Sequence, residues 1–380
     1  MRQQLQMFSE NSNQQFPDDN AIIYGNGDAS VSVISSEKVL YDYLNDFFPD
    51  YPHRYNAKSG WNLVAKKGEP NLHDKNLLAS CTRTIIEFQL GESAEKIYVD
   101  NSIIVVRPDC TKSYICLDYN NRLLIIYNYE LVLLFNDLYR TVRQLLAYQL
   151  LTKYISFHGS GFAFDNQIYS FIGEKGAGKT TYNTALLSKY HLDYFCNDKF
   201  FLSVDNRVVH WPECPALTFH MINLFPNLVD RVEEISKFHF SFAPDKVFIN
   251  HPALPSAQEI KGKAQEQSKI YLTNAQYVKL LNVNQIAEGV FNSFILLRNG
   301  RHLKCSIREI DSPGSAICLD HISNSAEFPN WISFDQNVKA TTPTHKFRTF
   351  EFIRTMNLDV DIKYLYDWLI KNFNGRNEDQ

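Results

Sequence analysis

A chain of 380 residues is long enough for two domains, and 44% hydrophobic against 21% charged residues excludes bulk disorder. The formal net charge of −4 offers neither a nucleic acid nor an anionic membrane surface the basic field it would need. Seven cysteines with no CxxC pair exclude a disulfide framework and a zinc site of ordinary spacing, and point to a reducing, cytoplasmic compartment.

Residues 1–20 are rich in Gln, Asn and Asp and read as a flexible tail. The opening MRQQLQMFSENSNQQ has no apolar segment of the kind a signal peptide needs. Short strand-like runs follow at 29–34, 96–99, 102–107, 113–118 and 123–127, with Asn120-Asn121 as a turn between the last two and a helix predicted over 38–48. The most apolar run, 123–135, is interrupted by Asn128 and Glu130 and is too short to span a bilayer. A long helix is predicted over 130–153, because Leu131, Leu134, Leu138, Val142, Leu145 and Leu146 form one stripe. It closes an N-terminal α+β region of residues 21–153.

A second region, 154–345, carries the chemistry. Residues 155–164 read as one strand, Asp165-Asn166 as a tight turn and 167–172 as a second strand. That strand runs straight into Gly173-Glu174-Lys175-Gly176-Ala177-Gly178-Lys179-Thr180-Thr181, and a helix follows over 179–190. Next come a strand at 192–196 and a hairpin of 200–204 with 207–211 about Asp205-Asn206. Residues 212–285 show no clear period. A further hairpin is expected between 289–298 and 303–309 across Asn299-Gly300. The segment 346–373 ends in an amphipathic helix with Leu358, Ile362, Leu365, Leu369 and Phe373 on one side, and 374–380 reads as a flexible tail.

The glycine run has the form GxxxxGKT, a P-loop. A triphosphate is a row of anionic oxygens, and binding it takes several backbone N–H groups aimed at one point. Gly173, Gly176 and Gly178 let the chain wrap tightly, and the following helix presents its N-terminus to the anion. Lys179 adds charge for the β- and γ-phosphates, and the Thr180 hydroxyl is placed for Mg²⁺. At average glycine usage of about 7%, the pattern arises by chance in on the order of one such chain in a hundred. An ordinary glycine turn with an exposed lysine would not need the strand before and the helix after it.

Two neighbouring features add to this. If Asp165-Asn166 is a two-residue turn, paired residue numbers sum to 331 and His158 falls opposite Gly173. A sheet histidine with a hydrogen bond is the plainer reading of that residue. Asn197-Asp198 ends the next strand, where a carboxylate beside a P-loop commonly holds Mg²⁺; a solvated turn residue is the alternative.

The run His158-Gly159-Ser160-Gly161, the hairpin, the loop and Asn197-Asp198-Lys199 resemble the HPr kinase/phosphorylase superfamily. The resemblance covers about residues 150–205. It implies a mixed α/β fold, shared with the phosphoenolpyruvate carboxykinases, with an antiparallel entry to the P-loop. It also implies an ATP-dependent kinase acting on a protein serine, or on a precursor peptide as in similar enzymes of bacterial peptide-biosynthesis clusters. On that resemblance His158 sits beside the catalytic carboxylate, and Lys179 and Thr180 match the phosphate and Mg²⁺ positions. One departure is Asn197, which stands where the family usually has the first of two acidic residues and cannot take a proton. The family's peptide-handling segment has no clear match, so phosphorylase activity is not implied.

The expected function is transfer of the γ-phosphate of ATP to a hydroxyl of a peptide, protein or small molecule. Lys179 would bind phosphate, Thr180 and Asp198 would hold Mg²⁺, and His158 and Asn197 would complete the catalytic set. Arg298, Arg301, Arg308 and Arg348 are candidates for a second phosphate contact. A non-catalytic ATP-binding module and a hydrolase switch are the competing readings. A homo-oligomer is compatible with any of them.

Overall fold

The computed structural model describes residues 21–25, 28–49, 60–70, 80–89, 92–99, 103–213, 215–235, 240–241, 249–250, 256–263, 269–298, 304–310, 331–332, 347–355 and 357–377. The fold is mixed α/β and forms two compact units. The first takes the described residues within Met1–Leu150, Phe242–Asn250 and Ser325–Val338, and the second takes the rest. Among the described residues no helix is long and apolar enough to cross a membrane. Cys81, Cys110, Cys116, Cys196 and Cys305 are not in disulfides; Cys214 and Cys318 lie outside the described residues.

The first unit contains β1 (Ala21–Gly25), β2 (Ser30–Ser35), α1 (Lys38–Phe47), β3 (Trp61–Lys67), β4 (Thr82–Gln89), β5 (Glu92–Tyr98), β6 (Ile103–Pro108), β7 (Tyr114–Asp118), β8 (Leu123–Asn128) and α2 (Leu131–Leu150). Strands β1 to β8 form one sheet in the order β1-β2-β3-β8-β7-β6-β5-β4. Strand β2 runs parallel to β3, which a short turn cannot achieve, and α1 lies in the crossover. From β4 to β8 the chain is an antiparallel meander. Strands β1, β3 and β4 are not among the runs expected from the sequence. Strand β4 in particular is mostly exposed, so it lacks the half-buried alternation that marks a strand. Helix α2 buries the expected leucines and also Asn136, Asp137, Arg140, Thr141 and Gln144. It is covered around most of its circumference, where a single stripe predicts one buried face.

The chain continues through β9 (Tyr154–His158), β10 (Ser160–Phe164), β11 (Gln167–Ile172), α3 (Lys179–Tyr190), β12 (Asp193–Cys196), β13 (Lys199–Ser203), β14 (Arg207–His210) and β15 (Ala216–Thr218). Helices α4 (Phe219–Asn223) and α5 (Pro226–Ile235) follow, then the two-residue strands β16 (Phe240–Ser241) and β17 (Ile249–Asn250). The remainder is α6 (Ala257–Gly262), β18 (Lys269–Tyr271), α7 (Asn274–Leu281), β19 (Glu288–Arg298), β20 (Ser306–Glu309), β21 (Thr349–Ile353) and α8 (Leu358–Asn377). The main sheet of the second unit runs β12-β10-β11-β19-β14-β13-β9, with β21 beside the C-terminal half of β19 and β20 outside β21.

The hairpin before the glycine loop has the expected register. Phe164 pairs with Gln167 and Ser160 with Phe171, and Asp165 and Asn166 both take positive φ (49° and 59°), as a type I′ turn requires. The single strand expected over 155–164 is instead two strands joined at Gly159. Among the described residues β9 pairs only with β13, whereas β10 pairs with β11 and β12. On the other side of this ribbon β12 passes into β13 through Asn197 and Asp198. Both chains therefore change neighbours at one level. Because these joints are one and two residues long, the two ends of the sheet must curl towards each other. The curl explains a core made of strand residues alone, with Phe157, Ala163, Ile172, Phe195, Phe200, Val208 and Phe294 among its members.

A second core lies between the sheet and the helices, where Phe171, Leu186, Tyr194, Leu228, Tyr277, Ile295, Leu365 and Leu369 pack together. The hairpin expected between 289–298 and 303–309 does not form. Strand β21, from a remote part of the chain, lies between β19 and β20, and local turn chemistry at Asn299-Gly300 cannot signal it. The segment 346–373, read as helical, thus holds a strand, and the closing helix runs on to Asn377, past the expected start of a tail at 374. Propensity without an apolar partner leaves such a helix end illegible.

Candidate functional site

The glycine loop lies between the C-terminal end of β11 and the N-terminus of α3. Gly173, Gly176 and Gly178 all have positive φ (149°, 81° and 87°), so the loop curls in a way that side-chain-bearing residues resist. Glu174, Lys175 and Gly176 are exposed, Ala177 is buried beneath them, and Lys179, Thr180 and Thr181 form the half-buried first turn of the helix. The Lys179 ammonium folds back on the loop, donating to the Gly173 carbonyl at 2.9 Å and to that of Glu174 at 3.4 Å. Burial lowers its pKa, and Asp198 opposes that shift.

Helix α3 is fixed to the bent ribbon by Asn183, whose amide donates to the carbonyls of Gly161 and Cys196, each at 3.2 Å. Those acceptors flank the two joints of the ribbon. At the joints the Gly159 N–H donates to the Asp198 carbonyl (2.9 Å), and His158 pairs with Lys199 across the β9–β13 ladder. His158 is thus not the strand partner of Gly173, because pairing with β11 stops at Ser160. Its imidazole Nδ1 instead lies 3.3 Å from Asp198 Oδ1, with both side chains about 39% exposed. Burial lowers the His158 pKa; Asp198 raises it, Lys179 and Lys199 lower it, and Glu213 raises it. A neutral imidazole that donates Nδ1–H to Asp198 keeps a lone pair on Nε2.

Lys179, His158 and Asp198 therefore sit within electrostatic reach of one another. Asn197, the other joint residue, is 8% exposed, and its Oδ1 has no hydrogen-bond partner. An unpaired buried amide oxygen is costly.

Of the four arginines named as phosphate contacts, the three described ones have their side chains paired with carboxylates of β20 and β21. Arg298 and Arg308 both bond Glu351, and Arg348 forms a bidentate pair with Glu309. Arg301 lies outside the described residues. A different arginine reaches the loop. Arg354, just past β21, donates Nη1–H to the Ala177 carbonyl (2.7 Å) and Nε–H to the Arg298 carbonyl (3.2 Å), and its guanidinium lies over the Tyr182 ring. A Cβ on Gly178 would come 3.0 Å from Arg354 Nη1. Tyr182 in turn donates to buried Asp361 on α8 at 2.6 Å. Neither Arg354 nor Glu213 stands in a recognisable motif, and only the tertiary fold brings them to the site.

A scan against protein-family models finds no match to this chain, and a search of curated proteins finds none.

Proposed function

We propose that the chain is an ATP-dependent phosphotransferase that moves the γ-phosphate to a hydroxyl of a peptide, a protein or a small molecule. The observation that carries this is the juxtaposition of a glycine loop at a helix N-terminus with the Lys179, His158 and Asp198 side chains. Loop N–H groups and Lys179 suit an anionic polyphosphate, and a carboxylate with a neutral histidine suits the removal of a hydroxyl proton. A strand hairpin entering the loop, followed by the ribbon joint, supports the HPr kinase-like fold reading.

In this reading the acceptor oxygen bonds to the γ-phosphorus as the bond to the β,γ-bridging oxygen breaks, releasing ADP. The hydroxyl proton passes to Asp198, held in place by the His158 Nδ1–H. Such transfers depend mainly on positioning and on charge stabilisation, so one carboxylate can suffice. The Thr180 hydroxyl and the Asp198 carboxylate are the residues that would hold Mg²⁺. Among the described residues no three His, Cys, Asp or Glu side chains form a metal cage. Mg²⁺ bound to nucleotide takes much of its shell from phosphate and water, so a hydroxyl and one carboxylate fit it. It would neutralise charge on the β- and γ-phosphates.

A nucleotide-binding module without transfer is the second reading, favoured by the neutral, buried Asn197. Incubation with γ-labelled ATP and a panel of serine and threonine peptides separates them. Label on a peptide, lost in Lys179→Ala, supports the transferase. Binding without turnover supports the module, and free phosphate alone supports a hydrolase.

A further inference from the structure

We infer that β4 is a self-complementary edge through which two copies of this chain associate. Strand β4 ends its sheet, with a paired neighbour on one side only among the described residues. Its ladder to β5 is regular from Thr82 to Glu87 and shifts only between Glu87 and Gln89. Ile85 lies in the middle of that regular run and is 73% exposed, the most exposed large apolar side chain among the described residues. On the same face of the strand, two residues to either side, stand Arg83 and Glu87, both exposed.

A two-fold rotation at Ile85 sets this pattern against its own complement. If two β4 strands pair antiparallel with residue numbers summing to 170, Ile85 meets Ile85 of the second copy. Arg83 then meets the second copy's Glu87, and Glu87 meets its Arg83. Thr84 faces Ile86 on the opposite side. Opposite charges across a strand pair stabilise it, and like charges would oppose it. Registers summing to 168 or 172 place neither Arg83 opposite Glu87 nor Ile85 opposite itself. Arg83 also bonds Glu95 of its own sheet at 2.7 Å, which holds its guanidinium along this face.

Charges on an edge strand ordinarily keep it from pairing. Here the two charges are of opposite sign and symmetric about an exposed isoleucine, so a second copy is the one strand against which they are matched. An isologous contact of this kind closes on itself and yields a dimer instead of a fibre. One pair of eight-residue strands is smaller than a standard interface, so the dimer is weak and concentration-dependent.

Sedimentation equilibrium of the full chain from low to high micromolar concentration tests this. A reversible monomer–dimer equilibrium is expected, weakened at least tenfold by Glu87→Arg, which sets two arginines opposite each other. Mild oxidation of Ile85→Cys should give a reducible covalent dimer well above the wild-type background, because twin Cβ atoms at the two-fold lie within about 5.5 Å. Glu87→Cys alone should not cross-link above that background, whereas Glu87→Cys mixed with Arg83→Cys should. A wild-type chain that stays monomeric throughout overturns the proposal. So does equal dimerisation by Glu87→Arg, or cross-linking by Glu87→Cys as fast as by Ile85→Cys.

Discussion

Lys179 spends its ammonium on two carbonyls of its own loop, so an arriving phosphate exchanges one set of acceptors for a charged one. A charge-assisted contact of this kind contributes about 1.5–3 kcal/mol. Lys179→Ala should therefore weaken ATP binding roughly ten- to a hundredfold by calorimetry. Equal affinity in the two proteins would remove the phosphate reading altogether. His158 offers a second handle. Burial lowers its pKa while Asp198 raises it, so its NMR titration should fall below the ordinary histidine value of about 6.5, and further below in Asp198→Asn. A protonated His158 would hold Asp198 in an ion pair and take the carboxylate from the acceptor hydroxyl, so transfer should fall as pH drops through that lowered value. Asn197 tells a different story from the one its sequence position suggests. A carboxylate there restores the usual acidic pair on paper, yet it would be buried with no donor facing the oxygen. Asn197→Asp should lower the thermal midpoint at pH 7 and recover as the new carboxyl protonates on acidification; an unchanged midpoint at pH 7 would show a donor within reach.

At the level of elements, the joint at Gly159 does what no strand could. The run 155–164 holds no proline to stop a strand, so the sequence reads as one; the break is set by which neighbours each half finds. The hairpin turn was legible because Asp165-Asn166 tolerates positive φ, a local property. The pairing of β21 with β19 was not, because its partners are some fifty residues apart in the chain. A Cβ on Gly159 would come 2.5 Å from Ser170 Oγ and 2.9 Å from the Phe171 carbonyl. Gly159→Ala should thus push the joint between β9 and β10 off β11, costing about 1–3 kcal/mol in denaturant unfolding and moving His158 off Asp198. Arg354 makes the same point from the far side of the loop. Arg354→Met should weaken ATP binding about tenfold, since the Ala177 carbonyl loses its charged donor. Wild-type affinity in that variant would show that the loop holds its shape unaided.

For the molecule as a whole, the glycine loop, Asp198 and the long helices could be read from the sequence because each rests on local spacing. The curled sheet, the eight-stranded order of the first unit and the arginine beneath the loop could not, because they rest on contacts between distant segments. The first unit carries a titratable weak point. Burial pushes the Asp137 carboxyl up to about 6; Ser113 and Thr111 pull it down without completing a hydrogen bond, Arg140 also lowers it and Glu92 raises it. Its folded pKa exceeds the ordinary aspartate value of 3.8, so the folded form binds the proton more tightly. Stability from this group is full at low pH and falls as pH rises from about 4 to about 6, on the order of 3 kcal/mol. The difference in stability between Asp137→Asn and the wild type should follow that window, and a difference independent of pH would exclude it. The ties that run from Ala177 through Arg354 and Tyr182 to Asp361 carry a consequence for synthesis. A ribosome finishes the loop long before it makes residue 361. Until then the loop lacks the arginine under it and the helix that packs behind it. The nascent chain should therefore emerge blind to nucleotide and gain its grip on ATP only with the last strand and helix.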